Sequence, residues 1–227
     1  EGVDEVVEFN PGDEFVQVSE ERKEEGLSEA VPYGRFLRIM SIPHAIGIDP
    51  SKIPFEKYIV PDKDRSEIWR NRLDPRKKTR VGLCWQGGKR NDPEMMAIDK
   101  RRSIPLAEML PVLSTENVEF YSLQKGDEQH KDFPQIRDFM DQCHDFTETA
   151  ALVENLDLVI SVDTAVAHLA GSMGKPTWML SRKGGCWRWG VDGEYTFWYP
   201  SIRIFRQENM NCWKSTIRKV AEERAEH

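Results

Sequence analysis

From Thr79 onward the apolar residues fall into short blocks of strand length, separated by stretches in which they recur at helical spacing. RVGLCW, VEFYSL, LVISV, TWML and IRIF are the strand blocks. SEIWRNRL, IPLAEMLPVL with its internal Pro, FPQIRDFM, TETAALVENL with Thr147 as its cap, TAVAHLAGSM and CWKSTIRKVAEERA read as helices. This alternation predicts an α/β fold, a Rossmann-like parallel sheet with helices on both faces. The pattern divides the chain at 64/65, into a leading segment of residues 1–64 and a sheet domain of residues 65–227. The leading segment opens with a short strand, GVDEVVEF, and passes through the charged run SEERKEEGLSEA, a solvated loop or exposed helical turn.

Ligands of such a sheet bind beyond the carboxyl ends of the strands, where the strand order reverses. The loops WQGGKRN, QKGDEQ, DTA and SRKGGCWRWG are the ones so placed. The most informative is the junction LVISVDTAVAHLAGSMGKP, where an apolar strand gives way at Asp163 and Thr164 to a helix of small residues. The first amides of a helix lack intrahelical partners and carry the positive end of its dipole, which makes this junction a place to hold a phosphate. Asp163 or Thr164 is the expected cap. His168 lies one turn after Thr164 on the same face, so both side chains point at the same ligand.

The remaining loops supply cations and aromatics. Gly87 and Gly88 allow close backbone approach beside Lys89 and Arg90, but the loop fits neither the nucleoside-triphosphate pattern nor GxGxxG. Lys125 is placed to neutralise a phosphate and Gln124 to read a base or ribose. Trp187, in the set Trp187-Arg188-Trp189, either stacks on a planar ring or packs the sheet edge. No HxxxH, HExxH or carboxylate cluster suggests a metal site, and no serine sits in a nucleophile elbow.

Composition narrows the reading further. Net charge is −7, yet residues 1–30 hold eleven Asp and Glu against Arg22 and Lys23, which leaves the remainder slightly positive and no obstacle to an anionic ligand. A basic stripe with interleaved aromatics is missing, which argues against nucleic acid. Cys84, Cys143, Cys186 and Cys212 are scattered without zinc spacing and read as reduced thiols. With no long apolar span and no signal peptide, the expected location is cytoplasmic. Because it starts without Met, the chain is expected to be a fragment.

With those residues in hand, the chain resembles the carboxyl-terminal, donor-binding half of a GT-B glycosyltransferase. It is most similar to glycosyltransferase family 9, the ADP-heptose:lipopolysaccharide heptosyltransferases, in members linked to tetratricopeptide repeats. The matching segments include RVGLCWQGGKRND, RRSIPLAEMLPVL, VEFYSLQKG, SVDTAVAHLAG and FWYPSIRIFRQ. GVDEVVEF and FLRIMSIPHAIGI resemble a remnant of the amino-terminal half. The resemblance implies inverting transfer from a nucleotide-diphosphate sugar, without cofactor or obligatory metal, to a glycan, lipid or protein acceptor. It assigns the diphosphate to Asp163, Thr164, Ala165, His168, Lys89 and Arg90, and the nucleoside side to Gln124, Lys125 and Trp187. The general base is expected from the amino-terminal half, and no residue here matches it. The alternative is a nucleotide-sugar-binding module without catalysis.

Overall fold

The computed structural model describes residues 47, 49, 52–53, 55–73, 78–88 and 92–226. The expected strand GVDEVVEF, the charged run after it, and the FLRIMSIPHAIGI match lie outside the described residues, apart from Gly47. Two compact units divide the chain, Glu1–Ile48 and Asp49–His227, and the architecture below is that of the second.

Its described residues form a six-stranded parallel sheet of β1 (Thr79–Cys84), β2 (Val118–Ser122), β3 (Ile136–Asp138), β4 (Leu158–Val162), β5 (Thr177–Ser181) and β6 (Ile202–Arg206). The spatial order is 3-2-1-4-5-6, the doubly wound Rossmann order whose direction of progression reverses between β1 and β4. There Leu83 faces Ile160 and Cys84 faces Ser161, so the loops after both strands open side by side.

Alternation along each strand sends neighbouring residues to opposite faces. On one face Val81, Leu83, Phe120, Ile160 and Val162 pack against Leu106 and Met109 of a 3₁₀ turn, against α3 (Leu110–Leu113), and against Ile217 and Val220 of α6 (Lys214–Glu226). On the other, Tyr121, Leu123 and Val159 meet α1 (Lys63–Arg72), α4 (Phe146–Glu154) and α5 (Ala165–Ser172) through Trp69, Leu152 and Leu169. Gly82 of β1 permits this second contact, because a Cβ there would lie 2.6 Å from Leu123 and Leu156.

Three local expectations are corrected. FPQIRDFM is not a helix: Ile136–Asp138 pairs in parallel with Phe120, Tyr121 and Ser122. Ile136 is buried and Arg137 exposed, an alternation that satisfies the edge of β2. The cap of α4 is Asp145, whose side chain accepts from the Glu148 amide at 3.0 Å, rather than Thr147. A helix also forms where none was expected, α2 (Pro93–Arg102), with proline in its first turn where a missing N–H costs nothing.

Candidate functional site

The loops after β1, β2, β4 and β5 surround a cavity of about 1030 Å³ at the carboxyl ends of the strands. Its wall includes the start of α5. Thr164 occupies the N-cap position in extended conformation, but its side chain makes no cap hydrogen bond. Instead the Thr164 hydroxyl sits 3.0 Å from Ser161 Oγ and 3.5 Å from Cys84 Sγ, toward the sheet. Among the described residues no side chain bonds the Ala165 or Val166 amide, and the positive end of the helix faces the cavity, where Ala165 is exposed.

Asp163 does not cap the helix either, contrary to one of the two expectations. Its Oδ1 accepts from Trp189 Nε1 at 2.8 Å, and its carbonyl accepts from Arg102 Nη1 at 2.7 Å. His168 lines the same cavity with Nδ1 3.2 Å from the Tyr199 hydroxyl and its ring stacked on Trp189 at 4.8 Å. Burial pushes its pKa below the ordinary histidine value; Asp163 opposes this and Arg188 adds to it. Burial therefore favours the neutral form of the His168 ring.

The loop after β1 is pinned from below. Gln124 Oε1 accepts from the Gln86 amide at 2.9 Å and from Cys84 Sγ at 3.4 Å, and the Gly87 amide donates to Ser103 Oγ at 3.1 Å. Burial raises the Cys84 thiol above its ordinary pKa, with the contacts to Thr164 and Ser161 pulling the other way. Gly87 lies against the ion pair of Arg102 and Asp99, where a Cβ would stand 2.5 Å from Arg102 Nε.

Cations predominate around this space. Arg102, Lys125, Arg182 and Arg188 line it against two carboxylates, Asp145 and Asp163, and both carboxylates already accept hydrogen bonds from protein. Lys125 Nζ reaches the Cys143 and His144 carbonyls at 3.1 and 3.3 Å, and Arg182 Nη1 the Gly184 carbonyl at 2.6 Å. The buried Nε atoms of Arg102 and Arg182 have no hydrogen-bond partner among the described residues. Such a lining favours an anion. Among the described residues no group of three or more His, Cys, Asp or Glu is arranged to hold a metal.

Of the residues singled out in sequence, Asp163, Thr164, Ala165, His168, Gln124 and Lys125 line this one cavity. Gln124 is nearly fully buried, with Oε1 given to the first loop. Lys89 and Arg90 lie outside the described residues. Trp187 is not among the lining side chains: half exposed, it meets Trp198 edge-on at 6.0 Å while Arg188 lies 5.6 Å over its ring. Sequence reasoning missed Arg102, which no motif links to Asp163, and Arg182, whose loop was marked without the residue being noticed.

Fold and site together define a Rossmann-like domain with a cationic cavity at its topological switch point. Residues 144–214 match the model of glycosyltransferase family 9 (heptosyltransferase). Protein FlbA of Caulobacter vibrioides is 34% identical over 176 residues, an alignment that covers 72% of this chain and 28% of FlbA. The chain thus spans little more than a quarter of that relative's length. The solved structure of E. coli heptosyltransferase WaaC with ADP aligns at 12% identity and a TM-score of 0.44, covering 70% of this chain and 48% of WaaC. Within residues 144–214 the chain is thus similar to the heptosyltransferases of glycosyltransferase family 9. Among the described residues no helix is long and apolar enough to cross a membrane.

Proposed function

We propose that the cavity holds the diphosphate of a nucleotide-sugar donor and that the protein belongs to a machinery of inverting, metal-independent glycosyl transfer. The observation that carries this reading is the start of α5, uncapped by any side chain among the described residues and facing a space lined by four cations. As the anomeric C–O bond breaks, negative charge grows on the departing diphosphate, and prearranged amides and cations stabilise it there. Ala165 and the next amide contact the phosphates, with Arg102 behind them and neutral His168 donating from the side. Lys89 and Arg90, which lie outside the described residues, are assigned to the phosphates by the family resemblance alone. Asp163 acts by ordering Trp189 and Arg102, since a carboxylate in direct contact would repel the ligand. Lys125 and Gln124 lie toward the nucleoside.

Asp145 caps α4 and Asp163 holds Trp189, and the acceptor's proton is assigned to a base of the amino-terminal half, as the family resemblance implies. That engagement of both carboxylates also favours a second reading, a nucleotide-sugar-binding module that turns nothing over. Calorimetry with ADP, GDP, UDP and CDP sugars, with and without chelator, tests the donor. One nucleotide class is expected to bind irrespective of chelator, and His168→Ala to weaken it by about 1–3 kcal/mol. Failure of every sugar nucleotide to bind, or an unchanged affinity in the variant, refutes the donor site. Release of free nucleotide with candidate acceptors separates transferase from module.

A further inference from the structure

The Nδ1 atom of His168 meets a phenol. Far more often that nitrogen finds a carbonyl or carboxylate, which forces it to be the donor and leaves Nε2 as a lone pair. A phenolic hydroxyl works in either direction, and the surroundings of Tyr199 select one. The Tyr199 hydroxyl lies 3.2 Å from His168 Nδ1 and 3.1 Å from the hydroxyl of Tyr58, itself 65% exposed. Two proton arrangements satisfy the row. In one, Tyr58 donates to Tyr199, Tyr199 donates to Nδ1, and Nε2 carries the imidazole proton. In the other every donor is reversed, and Tyr58 gives its proton to water.

A phenol donates more strongly than a neutral imidazole N–H, and an imidazole nitrogen accepts more strongly than a phenol oxygen, which favours the first. The ring contacts hold the geometry in place. Tyr199 lies against Gly171, where a Cβ would stand 2.7 Å from its ring, and against Phe55 edge-on at 6.5 Å. Trp189, fully buried, stacks on the imidazole and also lies 6.2 Å from the Tyr199 ring. No described residue is recorded as a hydrogen-bond partner of His168 Nε2, and the side chain lines the cavity.

We infer that Tyr199 is a positioning residue for His168: its hydroxyl, backed by that of Tyr58, occupies Nδ1 and holds the imidazole as a neutral Nε2–H donor aimed at an anionic oxygen in the cavity. The anion half of this inference rests on the donor reading above; the alignment of the ring does not. A neutral Nε2–H donor can hydrogen-bond a diphosphate oxygen without the ring first taking up a proton.

The test uses the full 227-residue chain labelled with ¹⁵N-histidine, in which long-range ¹⁵N–¹H correlation spectra distinguish the two imidazole tautomers. His168→Gln identifies the His168 signals. The wild type is expected to show the Nε2–H pattern. Tyr199→Phe keeps the ring that packs on Gly171 and is expected to give the averaged pattern of both tautomers, with thermal unfolding nearly unchanged. Its affinity for whichever of ADP, GDP, UDP or CDP binds best should fall about three- to tenfold, the loss of one neutral hydrogen bond. Tyr58→Phe, which leaves the inner hydroxyl, should change it less than twofold and keep the Nε2–H pattern. An Nδ1–H pattern in the wild type, or identical spectra for wild type and Tyr199→Phe, overturns the inference. If the spectra come out as expected and no nucleoside diphosphate binds the wild type, the donor reading falls and the alignment of the ring stands.

Discussion

The two ends of the sheet treat their polar groups in opposite ways. At the amino ends the loops are tied to one another: Thr79 donates to the Asn117 carbonyl, Asp157 to the Arg80 carbonyl, and Thr177 to that of Ser201. The Arg80 amide in turn donates to Asp157 Oδ2 at 2.9 Å, and Asn155 Nδ2 bridges to the Ser66 and Ala151 carbonyls. At the carboxyl ends the same strands lead into loops that surround a cationic cavity and a helix start whose N-cap side chain makes no cap hydrogen bond. Loops tied to one another close one end of the sheet, whereas a helix start facing cations leaves the other end open to receive an anion.

That contrast predicts that stability and binding separate along the strand axis. Arg80, 2% exposed, belongs to the closed end. Arg80→Met should lower unfolding free energy by about 2–3 kcal/mol in urea titrations and leave nucleotide affinity untouched; a loss of binding at constant stability would erase the distinction. At the open end, Arg102→Gln should cost about 2 kcal/mol of nucleoside-diphosphate affinity, near thirtyfold by calorimetry, with a smaller loss of stability.

The glycine pair in the first loop sharpens the comparison on a finer scale. Gly87→Ala drives a methyl into the Arg102 and Asp99 pair, whereas a Cβ on Gly88 meets nothing within 4 Å. The first should cost about 1 kcal/mol or more in melting experiments and weaken binding with it. The second should stay within about 0.5 kcal/mol. The smallest effect is chemical: at pH 8 burial keeps Cys84 protonated, so iodoacetamide should label exposed Cys212 well before Cys84, as peptide mass spectrometry would show.

Much of this arrangement was legible in the residues, and the gaps have physical causes. β1, β4 and β5 announced themselves because a strand buried on both faces is a continuous apolar run, and the order of strands and helices then fixed which loops share an end. β3 did not, since three residues of edge strand, Ile136–Asp138, carry too little pattern to outweigh the helical spacing of FPQIRDFM. α2 escaped for the opposite reason: PEMMAIDKRR lacks a sustained apolar face. The Asp145 cap was visible in principle, because Glu148 follows it by three residues as a capping box requires, but Thr147 drew attention first. Thr164 and His168 were found by local context, whereas Arg102 reaches Asp163 across 61 residues of sequence, a proximity only the folded chain creates.

The stacking of Trp189 on His168 gives the cavity an optical handle. An indole 4.8 Å from an imidazole and hydrogen-bonded through Nε1 to Asp163 shares its surroundings with the helix start. Because a charged imidazole dims indole emission more than a neutral one, the colour and brightness of this one tryptophan follow the protonation of its neighbour. The protein needs no attached dye to show when that wall of the cavity changes state.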